Sequence, residues 1–106
     1  MNNTESHIPV LKNESVQQLI TDIDGVYIDA TLGYGGHAKS ILNITSEKSR
    51  VFGIDKDIDA IEFNTNKLCS DKRFTLKHGC FSSIDEYAKT WNIYGYVNGI
   101  LFDLGV

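Results

Sequence analysis

Asp29, the glycines at 33, 35 and 36, and Asp55 are the residues whose types and spacing point to chemistry. Gly33-Tyr34-Gly35-Gly36-His37-Ala38 fits the loose pattern G-x-G-x-x-A. The apolar run Val26-Tyr27-Ile28 leads into it through Asp29, and a helix-like segment follows. A second apolar run, Val51-Phe52-Gly53-Ile54, ends in Asp55, 22 residues after Gly33. A strand, a glycine turn onto a helix N-terminus and an acid closing the next strand make up the plan of a nucleoside-cofactor site. Glycines let the backbone approach the ligand, and the acid accepts hydrogen bonds from a ribose diol. Many glycine turns bind nothing; the flanking strand and helix, with Asp55 beyond, favour a ligand here. Asp29 caps the turn through backbone N–H groups or faces the ligand. Just before the turn, it would repel a pyrophosphate and suits a cationic group.

Three further residues are candidates. His37, near the helix start, either donates to a ligand carboxylate or plugs the turn. Phe81, after Gly79-Cys80, either stacks on an adenine or packs at the edge of the core. Asp103 follows Ile100-Leu101-Phe102, where a carboxylate is costly unless it sits in a cleft or is hydrogen-bonded. No Ser/His/Asp set and no pair of general acids stands out. That pattern is compatible with group transfer from an activated cofactor, where positioning supplies most of the rate. Cys69 and Cys80 lie eleven positions apart with no CxxC; they read as reduced, buried or half-buried thiols. His7 and His78 have no ligand-spaced partner, so no metal is expected.

These residues must be positioned by regular elements. Val16, Leu19 and Ile20 repeat at helical spacing, with Asn13 as N-cap. Val26 to Ala30 is a first strand, Arg50 to Asp55 a second, Arg73 to Lys77 a third and Val97 to Asp103 a fourth. Ala38, Ile41 and Leu42 give the helix after the glycine turn its apolar stripe. Ile58, Ile61 and Leu68 line the next helix, capped by Asp57. Ser83-Ile84-Asp85-Glu86 fits a capping box opening a short helix that runs to about Trp91. Helix followed by βαβαβαβ implies an α/β fold, a parallel sheet with helices on both faces, in strand order 3-2-1-4. The ligand crevice then lies at the carboxyl ends of strands 1 and 4.

The 106 residues make one small domain. The net charge of −4 disfavours a free-standing nucleic-acid binder. The N-terminus has no basic and apolar regions of a secretory signal, and no apolar stretch approaches the ~20 residues of a membrane span. A cytoplasmic protein without a membrane partner is expected. The chain stops directly after its apolar fourth strand, leaving an open edge. It is therefore expected to be the N-terminal part of a longer protein, poorly soluble or self-associating alone.

Taken together, the residues resemble the bacterial small-subunit ribosomal RNA cytosine-N4 methyltransferases that use S-adenosylmethionine. The resemblance rests on His7-Ile8-Pro9-Val10-Leu11 with Glu14, on Tyr27 to His37, and on Gly53-Ile54-Asp55-Lys56-Asp57 with Ala60-Ile61. Phe81 and Gly99 to Val106 complete it. It implies a Rossmann-like methyltransferase fold, truncated after the fourth strand, with residues 1–12 as an N-terminal segment and 13–106 as an incomplete S-adenosylmethionine-binding domain. It implies that Gly35, Gly36 and His37 hold the methionine part of the cofactor, Asp55 the ribose hydroxyls and Phe81 the adenine, with Gly33 and Asp103 also binding the cofactor. Asp103 would stand beside the target amine as the catalytic residue. The implied substrate is a cytosine in the decoding region of 16S rRNA in the small ribosomal subunit, and a homodimer stays open. Family members continue with a further cofactor-contacting stretch and a helical substrate domain, so this chain alone is expected to be inactive. A side chain at Gly35 is expected to fill the ligand's space. Two rival readings remain: the NAD(P)-binding half of an oxidoreductase, and an inactive fragment that self-associates through its open edge strand.

Overall fold

The computed structural model describes residues 16–102. Within them, β1 (Val26–Asp29), β2 (Arg50–Asp55), β3 (Phe74–His78) and β4 (Gly99–Leu101) form one parallel sheet in the order β3-β2-β1-β4. The connections carry α1 (Gly36–Ile44), α2 (Ile58–Lys67) and α3 (Ile84–Thr90), the last preceded by a 3-10 turn at Phe81–Ser83. Residues 16–19 are helical. Parallel neighbours need such crossovers, because a tight turn can only return a chain antiparallel. The expected order 3-2-1-4 is the observed one.

Side chains alternate across the sheet. Tyr27 and Val51 point to one face, where they pack with Val16, Ala38, Ile41, Leu42, Leu68 and Phe74. Ile28, Phe52 and Ile54 point to the other, against Ala88 and Ile93. Both faces of β1 and β2 are covered, which explains why their sequences are near-continuous apolar runs. The register sets Ile28 beside Phe52 and Ile100, so the strands end nearly level. The acids that close β1 and β2 therefore emerge on one edge of the sheet.

Several local expectations shift. β3 runs one residue later than Arg73 to Lys77. β4 is shorter than Val97 to Asp103, since Asn98 meets Val26 through its amide and side chain before the strand begins. Asp57 caps α2 by accepting the Asp59 N–H, as expected. The following Leu68 is buried as expected, but that helix does not bury Ile58, which is 49% exposed; Ala60 and Asn64 are buried instead. Ser83 precedes α3 without a side-chain cap bond, because the 3-10 turn already delivers the chain into the helix. Both cysteines are exposed rather than buried. Segment 1–12, the Asn13 cap and Asp103 lie outside the described residues. Among the described residues no helix is long and apolar enough to cross a membrane.

Candidate functional site

β1 ends at Asp29, which is fully buried and accepts the Thr31 N–H on Oδ1 at 3.2 Å. Leu32 N–H then donates to the Ile54 carbonyl at 2.9 Å, which carries the chain over the end of β2. The turn that follows needs two left-handed residues, Gly33 at φ 56° and Gly35 at φ 80°, a region that costs any residue with a Cβ. Gly35 also serves as the N-cap of α1; glycine supplies no side-chain cap, and the first turn carries no acid. The N-terminal N–H groups of a helix have no partner inside the helix and carry partial positive charge. Gly36 and the half-buried His37 form this first turn.

Asp55 joins the pieces. Its Oδ2 accepts the Gly33 N–H at 2.8 Å and its Oδ1 the Asp57 N–H at 2.9 Å. Its backbone carbonyl accepts the Gly79 N–H at 2.9 Å, fixing the turn after β3. One residue thus ties β2 to both neighbouring turns. Each carboxylate oxygen takes one backbone donor from these bonds and has acceptor capacity for a second.

A cavity of about 280 Å³ opens between these strand ends. Ala30 and Thr31 from the first turn, Asp55 and Lys56 from the second, and Gly79, Cys80 and Phe81 from the third line it. That is just under the roughly 300–1,000 Å³ of typical ligand pockets, a size for a nucleoside moiety. The Phe81 ring, 40% exposed, stands edge-to-face against Phe102 with centroids 5.3 Å apart. Beside it the Ser82 hydroxyl donates to Cys80 Sγ at 3.2 Å. That hydrogen bond, helped by the Ser82 amide and the charge of Lys56, pulls the Cys80 thiol below its ordinary range. Partial desolvation has the opposite effect on the exposed Cys69 and raises its thiol.

The expected site residues therefore fall into two groups. Asp55 and Phe81 share the cavity, and Gly33 is bonded to Asp55 at its margin. Gly35, Gly36 and His37 do not line the cavity; they form the adjoining start of α1. Gly35 is also glycine for a reason other than the one expected. A Cβ there would run into Asn64 Oδ1 and come within 3.0 Å of Leu68 Cδ1, so the space it leaves is taken by α2 and Leu68 rather than kept for a ligand. Asn64, Lys56 and Cys80 were not singled out by the sequence. A polar residue on a helix ordinarily reads as solvent-facing, and the burial of Asn64 has no local signal.

The chain's similarity to known proteins is extensive. The family model described as the MraW methylase family matches residues 4–106. A Buchnera aphidicola (subsp. Baizongia pistaciae) protein named ribosomal RNA small subunit methyltransferase H is 50% identical over 106 residues, which is 100% of this chain and 33% of the relative. A Legionella pneumophila (strain Corby) protein of the same name is 47% identical over 100 residues, covering 94% of this chain and 32% of the relative. The chain thus spans about a third of the length of the curated relatives it matches. Among solved structures, a putative rRNA methylase from Clostridium thermocellum superposes with a TM-score of 0.63 at 25% identity, over 82% of this chain and 48% of that one. An RNA methyltransferase from Salinibacter ruber, solved with S-adenosyl-L-homocysteine, shares the fold with a TM-score of 0.60 at 14% identity, over 92% of this chain and 78% of that one.

Proposed function

Because the chain belongs to the MraW methylase family, we propose that it is the cofactor-binding part of an S-adenosylmethionine-dependent methyltransferase that modifies N4 of a cytosine in the decoding region of 16S rRNA. The observation that carries this reading is Asp55, whose carboxylate is fastened to the glycine turn at Gly33 and faces the same cavity as Phe81. A ribose diol needs two fixed acceptors, and the two oxygens of Asp55 are fixed by separate backbone donors. The apolar ring of Phe81 offers a stacking face or edge to a purine. The start of α1, with no side-chain cap and no acid, suits the carboxylate of an amino acid. These three features fit the three parts of S-adenosylmethionine.

Residues 13–106 are proposed as the cofactor domain and 1–12 as a leading segment. Gly35, Gly36 and His37 hold the methionine part, Asp55 the ribose and Phe81 the adenine, with Gly33 and Asp103 also binding the cofactor. When bound, the cofactor supplies a methyl group already activated on a sulfonium. The protein's share is to orient the amine, exclude water and accept the released proton, for which Asp103 is the proposed base. A base in folded RNA must be splayed out to reach such a crevice. With a net charge of −4, this chain is a poor platform for a polyanion. RNA binding is therefore assigned to the part of the relatives' length that this chain does not span. The partner is the small ribosomal subunit and the location the cytoplasm.

Calorimetric titration with S-adenosylmethionine, with NAD as control, tests the cofactor. Selective binding of S-adenosylmethionine is expected; binding of NAD alone would return the site to the oxidoreductases. Nucleoside analysis of small-subunit RNA, from cells with and without the gene, tests the substrate. Loss of N4-methylcytidine is expected, and an unchanged profile would overturn the assignment.

A further inference from the structure

Asn64 is the polar side chain that the proposed function leaves unused. It is fully buried on α2, between Ala60 and Leu68 on one helical face. Its Nδ2 donates to two carbonyls, Ala60 at 2.7 Å and Gly33 at 2.8 Å. The first bond is local to the helix; the second reaches 31 residues back to the glycine turn. Its Oδ1 has no hydrogen-bond partner among the described residues and lies against the α-carbon of Gly35. The reverse orientation of the amide would set an oxygen against both carbonyls, so the two acceptors fix which way it points. A buried, half-satisfied amide is costly and needs a reason.

The reason lies in the turn. The Gly33 residue is gripped at both ends: its N–H by Asp55 Oδ2 and its C=O by Asn64 Nδ2, each at 2.8 Å. Rotating either adjoining peptide breaks a half-buried bond. The next residue is held from the same helix on its exposed side. Lys67 Nζ donates to the Tyr34 carbonyl at 3.2 Å, and the Phe63 ring meets the Tyr34 ring edge-on at 5.2 Å. Glycine is the most mobile residue type, and a turn with Gly33, Gly35 and Gly36 would sample many shapes without such a grip. We propose that Asn64 is a positioning residue for the cofactor turn, holding it and the Asp55 carboxylate in binding geometry before any ligand arrives.

This inference rests on the cofactor reading for its consequence, but not for its geometry, and the two are separable. Amide hydrogen exchange on the wild-type chain without cofactor comes first. The Gly33 and Gly35 amides are expected to be protected to within about tenfold of the β2 amides; turn amides that exchange freely would overturn the proposal. In Asn64→Ala, where the helix keeps a good former, these two amides are expected to exchange about tenfold faster while the β2 amides keep their rates. The Kd for S-adenosylmethionine is expected to rise about tenfold, the worth of roughly one buried hydrogen bond. Unchanged turn exchange and an unchanged Kd would overturn the positioning role. Lys67→Met, on the surface, should change the Kd less than twofold, because exposed contacts of this kind contribute little; a larger effect there than in Asn64→Ala would move the role from Asn64 to the outer contacts and overturn it. A wild-type chain that fails to bind S-adenosylmethionine would sink the cofactor reading, while the exchange rates would still decide whether Asn64 holds the turn.

Discussion

Two turns border the same cavity and are built in opposite ways. The turn after β1 is locked: Gly33 is bonded at both ends, the Gly35 N–H reaches the Leu32 carbonyl at 2.9 Å, and two left-handed glycines set its course. The turn after β3 is held to the rest of the sheet by Gly79 to Asp55 and otherwise by bonds within itself, Ser83 to Cys80 and Ser82 to Cys80, while Cys80, Phe81 and Ser82 stand exposed. Polar recognition tolerates little misplacement, since a hydrogen bond weakens steeply as its geometry departs from ideal. Apolar stacking is shallower and survives small displacements. The molecule is stiff where it would meet hydroxyls and charge, and slack where it would meet a flat base.

That contrast breaks most completely at Gly35. Gly35→Val sets a branched side chain at φ 80° and drives it into Asn64, so a loss of about 3 kcal/mol and a Tm lower by roughly 10–20 °C are expected. Thermal unfolding followed by circular dichroism would register it; a Tm within two or three degrees of wild type, on the order of 0.5 kcal/mol, would show that the turn is not locked. Gly35→Ala should cost less in an Asn64→Ala background than alone, since only the backbone strain and the tight approach to Leu68 remain.

Next comes Asp55→Ala, which removes both fixed acceptors and unties Gly33. Affinity for S-adenosylmethionine should fall about a hundredfold, on the order of two good hydrogen bonds. A calorimetric Kd close to wild type would remove Asp55 from the site. At the slack turn the expected effects are smaller. Phe81→Leu should weaken binding only about five- to tenfold, the worth of an aromatic contact, and leave the Tm of the free chain unchanged because the ring is 40% exposed. A large fall in Tm would mean the ring belongs to the core.

The finest test is chemical. The Cys80 thiol is held below its ordinary range chiefly by the Ser82 hydroxyl, whereas partial desolvation raises that of Cys69. The thiolate is the reactive form, so alkylation of Cys80 should reach half its maximal rate at a lower pH than that of Cys69. Bound S-adenosylmethionine should slow only the former, because Cys80 lines the cavity. Equal protection of both cysteines, read by mass spectrometry, would place the ligand elsewhere.

Much of the frame was legible from the chain, because β1 and β2 are apolar runs closed by acids and each connection carries a helical stripe. Those patterns are local, and they led directly to the strand order and to Asp55 as a ribose-binding candidate, whereas the adenine role of Phe81 came from the family resemblance. What escaped was set by distant partners. Asn64 looks like a surface residue until the carbonyl of Gly33 is found 31 positions away. Gly35 looks like room for a ligand until α2 is found beneath it. The capping box at Ser83 fits by type and spacing, yet a 3-10 turn displaces it. The cysteines read as core thiols because composition alone favours burying them, and nothing near Cys80 announces that its turn stays open.

The central position of β1 has a consequence for the order of assembly. β1 pairs with β2 through residues 24 apart, Tyr27 with Val51, but with β4 through residues 72 apart, Ile28 with Ile100. Closing the longer loop costs about 1 kcal/mol more in chain entropy by the logarithmic scaling. β4 itself brings only three residues and a half-exposed pattern to offset it. The glycine-turn half of the sheet is therefore expected to form before β4 docks and Phe102, which follows β4, reaches the Phe81 ring. On that order, the polar wall of the cavity would be finished early in folding, and its aromatic wall would close last.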